Sequence, residues 1–158
     1  MSVVGPSNLR TLIESIPPYW APMVSLFHTR VGDNTTSEGR EFLDSRSPLT
    51  RVQAIRKPLL IAQGANDPRV KQAESDQIVS AMNEHGIPVT YLLFPDEGHG
   101  FARPQNNLAF YAVAELFLSK HLGGRFEPIG GDFVGSSIQI PADTAGLPQL
   151  TDVLNGPK

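Results

Sequence analysis

Two residues in this chain have the types, order and surroundings to share a proton: Asp67 and His99. Asp67 lies in Lys57–Val70, KPLLIAQGANDPRV. Pro58 opens that stretch, Leu59, Leu60, Ile61 and Ala62 form a short apolar run, and Gly64 breaks it. Such a run, closed by a turn signal, reads as a fully buried strand of a parallel sheet. Asp67 therefore sits just past the carboxyl end of a strand, where open α/β sheets place ligand-binding and catalytic groups. His99 stands 32 residues further on, in the loop PDEGHGFAR that follows a second strand, PVTYLLF over Pro88–Phe94. A carboxylate beside an imidazole orients the ring and stabilises its cation, so that the ring can act as a general base toward a nucleophile. Singly, an Asp in such a loop is a helix cap or turn former and a lone His is a surface or packing residue. In this order and context the pair is far more specific.

The elements between them supply the proximity. Lys71–His85 reads as a helix, with Ala73, Ile78, Ala81 and Met82 as its apolar stripe, Glu74, Asp76, Gln77 and Glu84 outside, and Gly86 as its stop. A right-handed crossover through that helix makes the two strands neighbours and brings both loops to one edge of the sheet. Gly98 and Gly100 allow a tight, irregular backbone that presents the His99 ring.

Upstream, Val3-Val4 reads as the tail of a strand entering a loop, and Ser7 or Asn8 caps a helix over Leu9–Ile16 that Pro17-Pro18 ends. Tyr19–Phe27, YWAPMVSLF, is apolar and aromatic without a clean period. It reads first as core packing of a helical excursion, and second as a wall of an apolar substrate pocket built from Tyr19, Trp20, Met23 and Phe27. Thr36 or Ser37 caps a helix over Glu38–Asp44, and Leu49–Ile55 makes another short turn or helix. Beyond the His99 loop, Asn106 or Asn107 begins a long helix to His121, its buried face supplied by Phe110, Val113, Ala114 and Phe117 and its end by Gly123-Gly124. Residues 125–158 are punctuated by Gly and Pro and read as an extension, with one edge strand near Ser136–Pro141, appended to a unit over residues 1–124.

Composition excludes several classes. The 158 residues suffice for one domain with a real core, 40% apolar and 18% charged. A net charge of −3 gives no electrostatic case for nucleic acid or an anionic membrane. No run approaches the roughly 18 apolar residues of a membrane span, Met1–Pro6 is not a signal peptide, and the chain reads as soluble. The absence of Cys removes disulfides, thiolate zinc sites and cysteine nucleophiles. His28, His85, His99 and His121 show no metal-ligand spacing, so neither a metal nor any other cofactor is expected.

GANDPRVKQAESDQI, FPDEGHGFARPQN and FYAVAELFLSKHLGG together resemble the C-terminal part of the catalytic domain of the prolyl oligopeptidase family of serine peptidases, closest to its acylaminoacyl-peptidase and dipeptidyl-peptidase branch. The resemblance runs from Val3 to about Ser137. It implies an α/β-hydrolase fold, oligopeptide substrates, Asp67 as the triad acid and His99 as the triad base, in the acid-before-His order of that fold. In such a loop Arg69 is expected to be an anchor, with Glu74 as its ion-pair partner.

The nucleophile elbow, Gly-x-Ser-x-Gly, does not occur. Ser7 has a preceding glycine but no following one, and Ser136 and Ser137 come after the His. By the resemblance, the nucleophile, the oxyanion-hole amides and the first strands lie upstream of Met1. A partial α/β-hydrolase fold is therefore expected: the C-terminal half of a mostly parallel sheet with flanking helices. It would be inactive alone, and would partner the missing N-terminal part of the domain or self-associate through an exposed sheet edge. Two other readings stand beside the peptidase, a non-catalytic remnant or binding module and an esterase of the same fold.

Overall fold

The computed structural model describes residues 1–147 and Leu150. Four strands form one sheet in the order β1 (Ser2–Val3), β2 (Leu59–Gly64), β3 (Val89–Phe94), β4 (Gln139–Asp143). The first three are parallel, and β4 closes one edge antiparallel to β3. Among the described residues five α-helices accompany them: α1 (Leu9–Glu14), α2 (Ala21–Arg30), α3 (Ser37–Arg46), α4 (Gln72–Glu84) and α5 (Pro104–Leu122). Two 3-10 turns, Pro18–Trp20 and Leu49–Ala54, link them. This is the mostly parallel, helix-flanked sheet of an α/β-hydrolase.

The strands carry apolar side chains on both sides, as burial on two faces requires. Leu60, Ala62, Leu92 and Phe94 face α5 and pack with Val113, Ala114 and Phe117. Ile61, Val89 and Tyr91 face the other way, against Val52, Ile78, Val79 and Met82. The C-terminal segment joins the α5 side, where Phe126, Ile129, Phe133, Ile138 and Ile140 pack on that core. Its strand lies a few residues later than the SSIQIP pattern indicates.

Several local expectations need correction. Of the two residues expected to cap α1, Ser7 or Asn8, it is Asn8 that does so, its Oδ1 accepting from the Arg10 and Thr11 N–H groups. α5 begins at Pro104, two residues before Asn106, with the proline in its first turn. The aromatic stretch after Pro18 is not core: α2 buries no residue, and Tyr19 is 65% exposed. Glu74 does not sit on the wet face of α4 and does not pair with Arg69. It is 2% exposed, and its carboxylate accepts from the Ser7 and Asn8 N–H groups at 3.0 and 2.9 Å and from Gln77 at 3.0 Å. Thr11 also donates to it.

That carboxylate clamps the turn by which β1 enters α1. Val4 makes the turn at φ 47°, a costly conformation for a β-branched residue. It persists because its N–H is tied to Ala62 O at 2.9 Å and the next residues are tied to Glu74. Glu74→Ala leaves two buried N–H groups unpaired and is expected to lower stability by about 2–4 kcal/mol in urea unfolding. A loss below about 0.5 kcal/mol, the range of an ordinary surface substitution, would contradict this role.

Candidate active site

β2 and β3 end level with one another, Gly64 pairing with Phe94. The loops that leave them are stitched together immediately. Ala65 N–H donates to Phe94 O at 3.0 Å, Asn66 N–H to Glu97 O at 2.9 Å, and the Asn66 side chain to Pro95 O at 2.7 Å. The second loop crosses so close over β2 that a Cβ on Gly64 would lie 2.2 Å from Gly98 O and 2.6 Å from Glu97 O. A glycine is therefore required where the apolar run breaks.

This packing brings the two chemistry-bearing residues into contact. His99 Nδ1–H donates to Asp67 Oδ2 at 2.8 Å. The Asp67 side chain is fully buried, and its other oxygen accepts from the Arg69 and Val70 N–H groups at 2.8 and 2.9 Å. The His99 side chain is 31% exposed. An acid sealed from water and a ring open on its far side suit proton transfer from Nε2, with Nδ1 held in one tautomer.

Each loop has its own anchors. Gln63, fully buried in β2, donates to Val70 O at 2.9 Å and Gly64 O at 3.0 Å and accepts from Ser75 at 2.9 Å, fixing the floor under Asp67. On the His99 side, Phe101 packs between Phe94 and Phe110, with ring centroids 4.4 and 5.3 Å away. Gly100 takes φ 101°, which few other residues adopt. Glu97 is buried, and burial pushes its carboxyl up. Hydrogen bonds from the Ala102 N–H, the Asn106 amide and the Arg103 N–H outweigh that and hold it below its usual range.

Of the apolar candidates, Trp20 touches the acid loop through Arg69. The Arg69 guanidinium stands 5.9 Å from its ring centroid, so Arg69 leans on Trp20 and not on Glu74. Trp20 also stacks on Phe27 at 6.4 Å and meets Tyr19 edge-on at 6.2 Å. Met23 lies further along, lining a shallow hollow of about 150 Å³ with Leu26 and Phe27. Among the described residues no group of His, Asp and Glu is arranged to hold a metal ion, and no helix is long and apolar enough to cross a membrane.

Sequence reasoning missed Gln63, Glu97 and Asn106. Gln63 had a visible signal, a single polar residue in a buried strand. Glu97 and Asn106 had little, because their partners are backbone groups of irregular loops.

Comparison with known proteins points one way. The sequence profile described as the prolyl oligopeptidase family matches residues 19–125. Dipeptidyl aminopeptidase BIII of Pseudoxanthomonas mexicana is 62% identical over 99% of this chain and 23% of its own length. Dipeptidyl peptidase family member 6 of Caenorhabditis elegans is 50% identical over 87% of this chain and 19% of its own. The structure of a puromycin-hydrolyzing peptidase of Mycobacterium tuberculosis superposes with a TM-score of 0.60 at 30% identity, covering 82% of this chain and 19% of that one. The chain thus spans about a fifth to a quarter of the length of these relatives.

Gly64→Ala forces the His99 loop away from β2. The expected cost is about 1–3 kcal/mol of stability in urea unfolding, the range for overpacking a close contact. An unchanged unfolding midpoint would show that the loops do not need this approach.

Proposed function

The chain belongs to the prolyl oligopeptidase family of serine peptidases, and from that premise we propose that it supplies the acid and base of a peptidase, Asp67 and His99. The observation that carries the reading is the buried Asp67 carboxylate at 2.8 Å from Nδ1 of a partly exposed His99. In the reaction, His99 Nε2 takes the proton of a serine hydroxyl as that oxygen attacks the scissile carbonyl. Asp67 stabilises the imidazolium, and the ring then returns the proton to the leaving amine. The two relatives are named as a dipeptidyl aminopeptidase and a dipeptidyl peptidase family member, and release of dipeptides from oligopeptides is the action proposed for the complete protein.

The serine comes from further polypeptide. The chain has no Gly-x-Ser-x-Gly. Ser7 is buried, and its hydroxyl donates to Glu74 O, so it is not poised to attack. Among the described residues β1 pairs only with β2, so none of them occupies its outer edge, where another parallel strand could add. Beside that edge, Met1, Tyr111, Ala114 and Leu118 line a groove of about 440 Å³. The remainder of an α/β-hydrolase domain, carrying the nucleophile, fits an open sheet edge bordered by apolar surface.

In the complete enzyme, His99→Ala is expected to lower kcat on dipeptide anilides by on the order of 10³-fold or more, with little change in KM. Retention of kcat would remove His99 from the mechanism. In the same assay Trp20→Ala is expected to lower kcat/KM unevenly across a substrate panel, while uniform, unchanged values would exclude Trp20, and with it the Tyr19, Met23 and Phe27 wall, from substrate contact. Sedimentation of the 158-residue chain alone is expected to show self-association through the open edge, and a strictly monomeric species would contradict it.

A further inference from the structure

Glu97 stands two residues before His99, is 3% exposed, and faces no cation within ion-pair distance among the described residues. Its charge is met instead by N–H groups on the far side of the His99 loop. The carboxylate accepts from Ala102 N–H and Arg103 N–H, both at 2.9 Å, and from the Asn106 side chain at 2.8 Å. Its own backbone carbonyl accepts from Asn66 N–H in the acid loop at 2.9 Å. One residue therefore binds the Asp67 loop with its main chain and the exit of the His99 loop with its side chain, and His99 belongs to the segment so closed.

The same network reaches the C-terminal segment. Asn106 is 1% exposed and divides its amide between two sides. Its nitrogen donates to Glu97 and, at 3.0 Å, to Asp96. Its oxygen accepts from Ser136 Oγ at 2.8 Å and Ser137 N–H at 3.0 Å. Ser137 Oγ also donates to Asp96, which holds Arg103 Nε at 3.0 Å. A segment more than thirty residues beyond His99 is thus fastened to the ends of the loop that carries it.

We propose that Glu97 is a positioning residue for His99, closing the loop that holds the imidazole against Asp67, and that Ser136 and Ser137 secure it through Asn106. This rests on the reading of Asp67 and His99 as acid and base. A buried carboxylate is costly unless fully hydrogen-bonded. Bonds to charged groups are stronger and more directional than neutral ones, which is what a loop needs when it must hold one ring nitrogen at a fixed distance.

Proton–nitrogen NMR on the 158-residue chain separates the two claims by following the His99 Nδ1 proton. In the unsubstituted chain this proton is expected as a protected downfield signal that Asp67→Ala abolishes. Its absence from the unsubstituted chain would overturn the acid–base pair, and the proposal with it. If it is present, Glu97→Gln is expected to keep the amide signals of β2 and β3 while the Nδ1 proton exchanges with water about tenfold faster or more, as for loss of a hydrogen bond to a charged group. Ser137→Ala is expected to move it less, in the same direction. Glu74→Gln, which loosens a buried carboxylate elsewhere, is expected to leave it in place. A folded Glu97→Gln with unchanged exchange, or an equal effect from Glu74→Gln, would overturn the positioning role. Should Glu97→Gln fail to fold, the half-buried Ser137→Ala decides, and no change there would overturn the coupling.

Discussion

β2 and β3 run side by side over six paired residues, and the last rung joins Gly64 to Phe94. Because the pairing is parallel, both strands point their carboxyl ends the same way. Because it is in register to the final rung, the chain leaves both strands at one height. Everything chemical in this protein depends on that coincidence. A slip of one residue would turn each apolar side chain to the opposite face and separate the two loops. The crossover through α4 sets the handedness, the two apolar faces hold the strands between helices, and Gly64 lets the second loop lie across the end of the first.

Among the described residues three carboxylates are buried, and each is met chiefly by N–H groups. Asp67 receives two backbone N–H groups and the His99 ring. Glu74 receives the N–H groups of Ser7 and Asn8, and Glu97 those of Ala102 and Arg103. A carboxylate gathers several donors at once, which no neutral side chain of that size does. It can therefore fix an irregular turn that has no ladder partner. The carboxylates stand at the three turns that decide the site: the exit of β1, the exit of β2 and the exit of β3. The strands set the direction of those loops and the carboxylates set their shape.

What was legible from sequence follows from what is local. The apolar runs at Leu59–Ala62 and Val89–Phe94 announce buried strands, and a strand–helix–strand order leaves little choice of topology. The Asp67–His99 contact follows from that order. Glu74 reads as solvent-facing because helical periodicity says which face meets the core, not that a charged residue there is satisfied by backbone 67 residues away. The aromatic stretch from Tyr19 to Phe27 reads from sequence as core because bulky apolar residues are usually buried. It lies instead on a 3-10 turn and a helix that bury none of their residues, with Trp20 of the turn next to Arg69. Glu97 looks like any loop acid until the loop is closed, since its donors are main-chain groups that a sequence does not distinguish.

The central claim is that Asp67 and His99 form a working acid–base pair that lacks a nucleophile within these 158 residues. A fluorophosphonate probe, which labels activated serines, tests it most directly. The folded chain alone is expected not to label. The complete protein, with the remainder of the catalytic domain present, is expected to label, and His99→Ala is expected to abolish that labelling. Labelling of the chain alone that disappears in His99→Ala would contradict the account, because a serine within this sequence would then be the nucleophile.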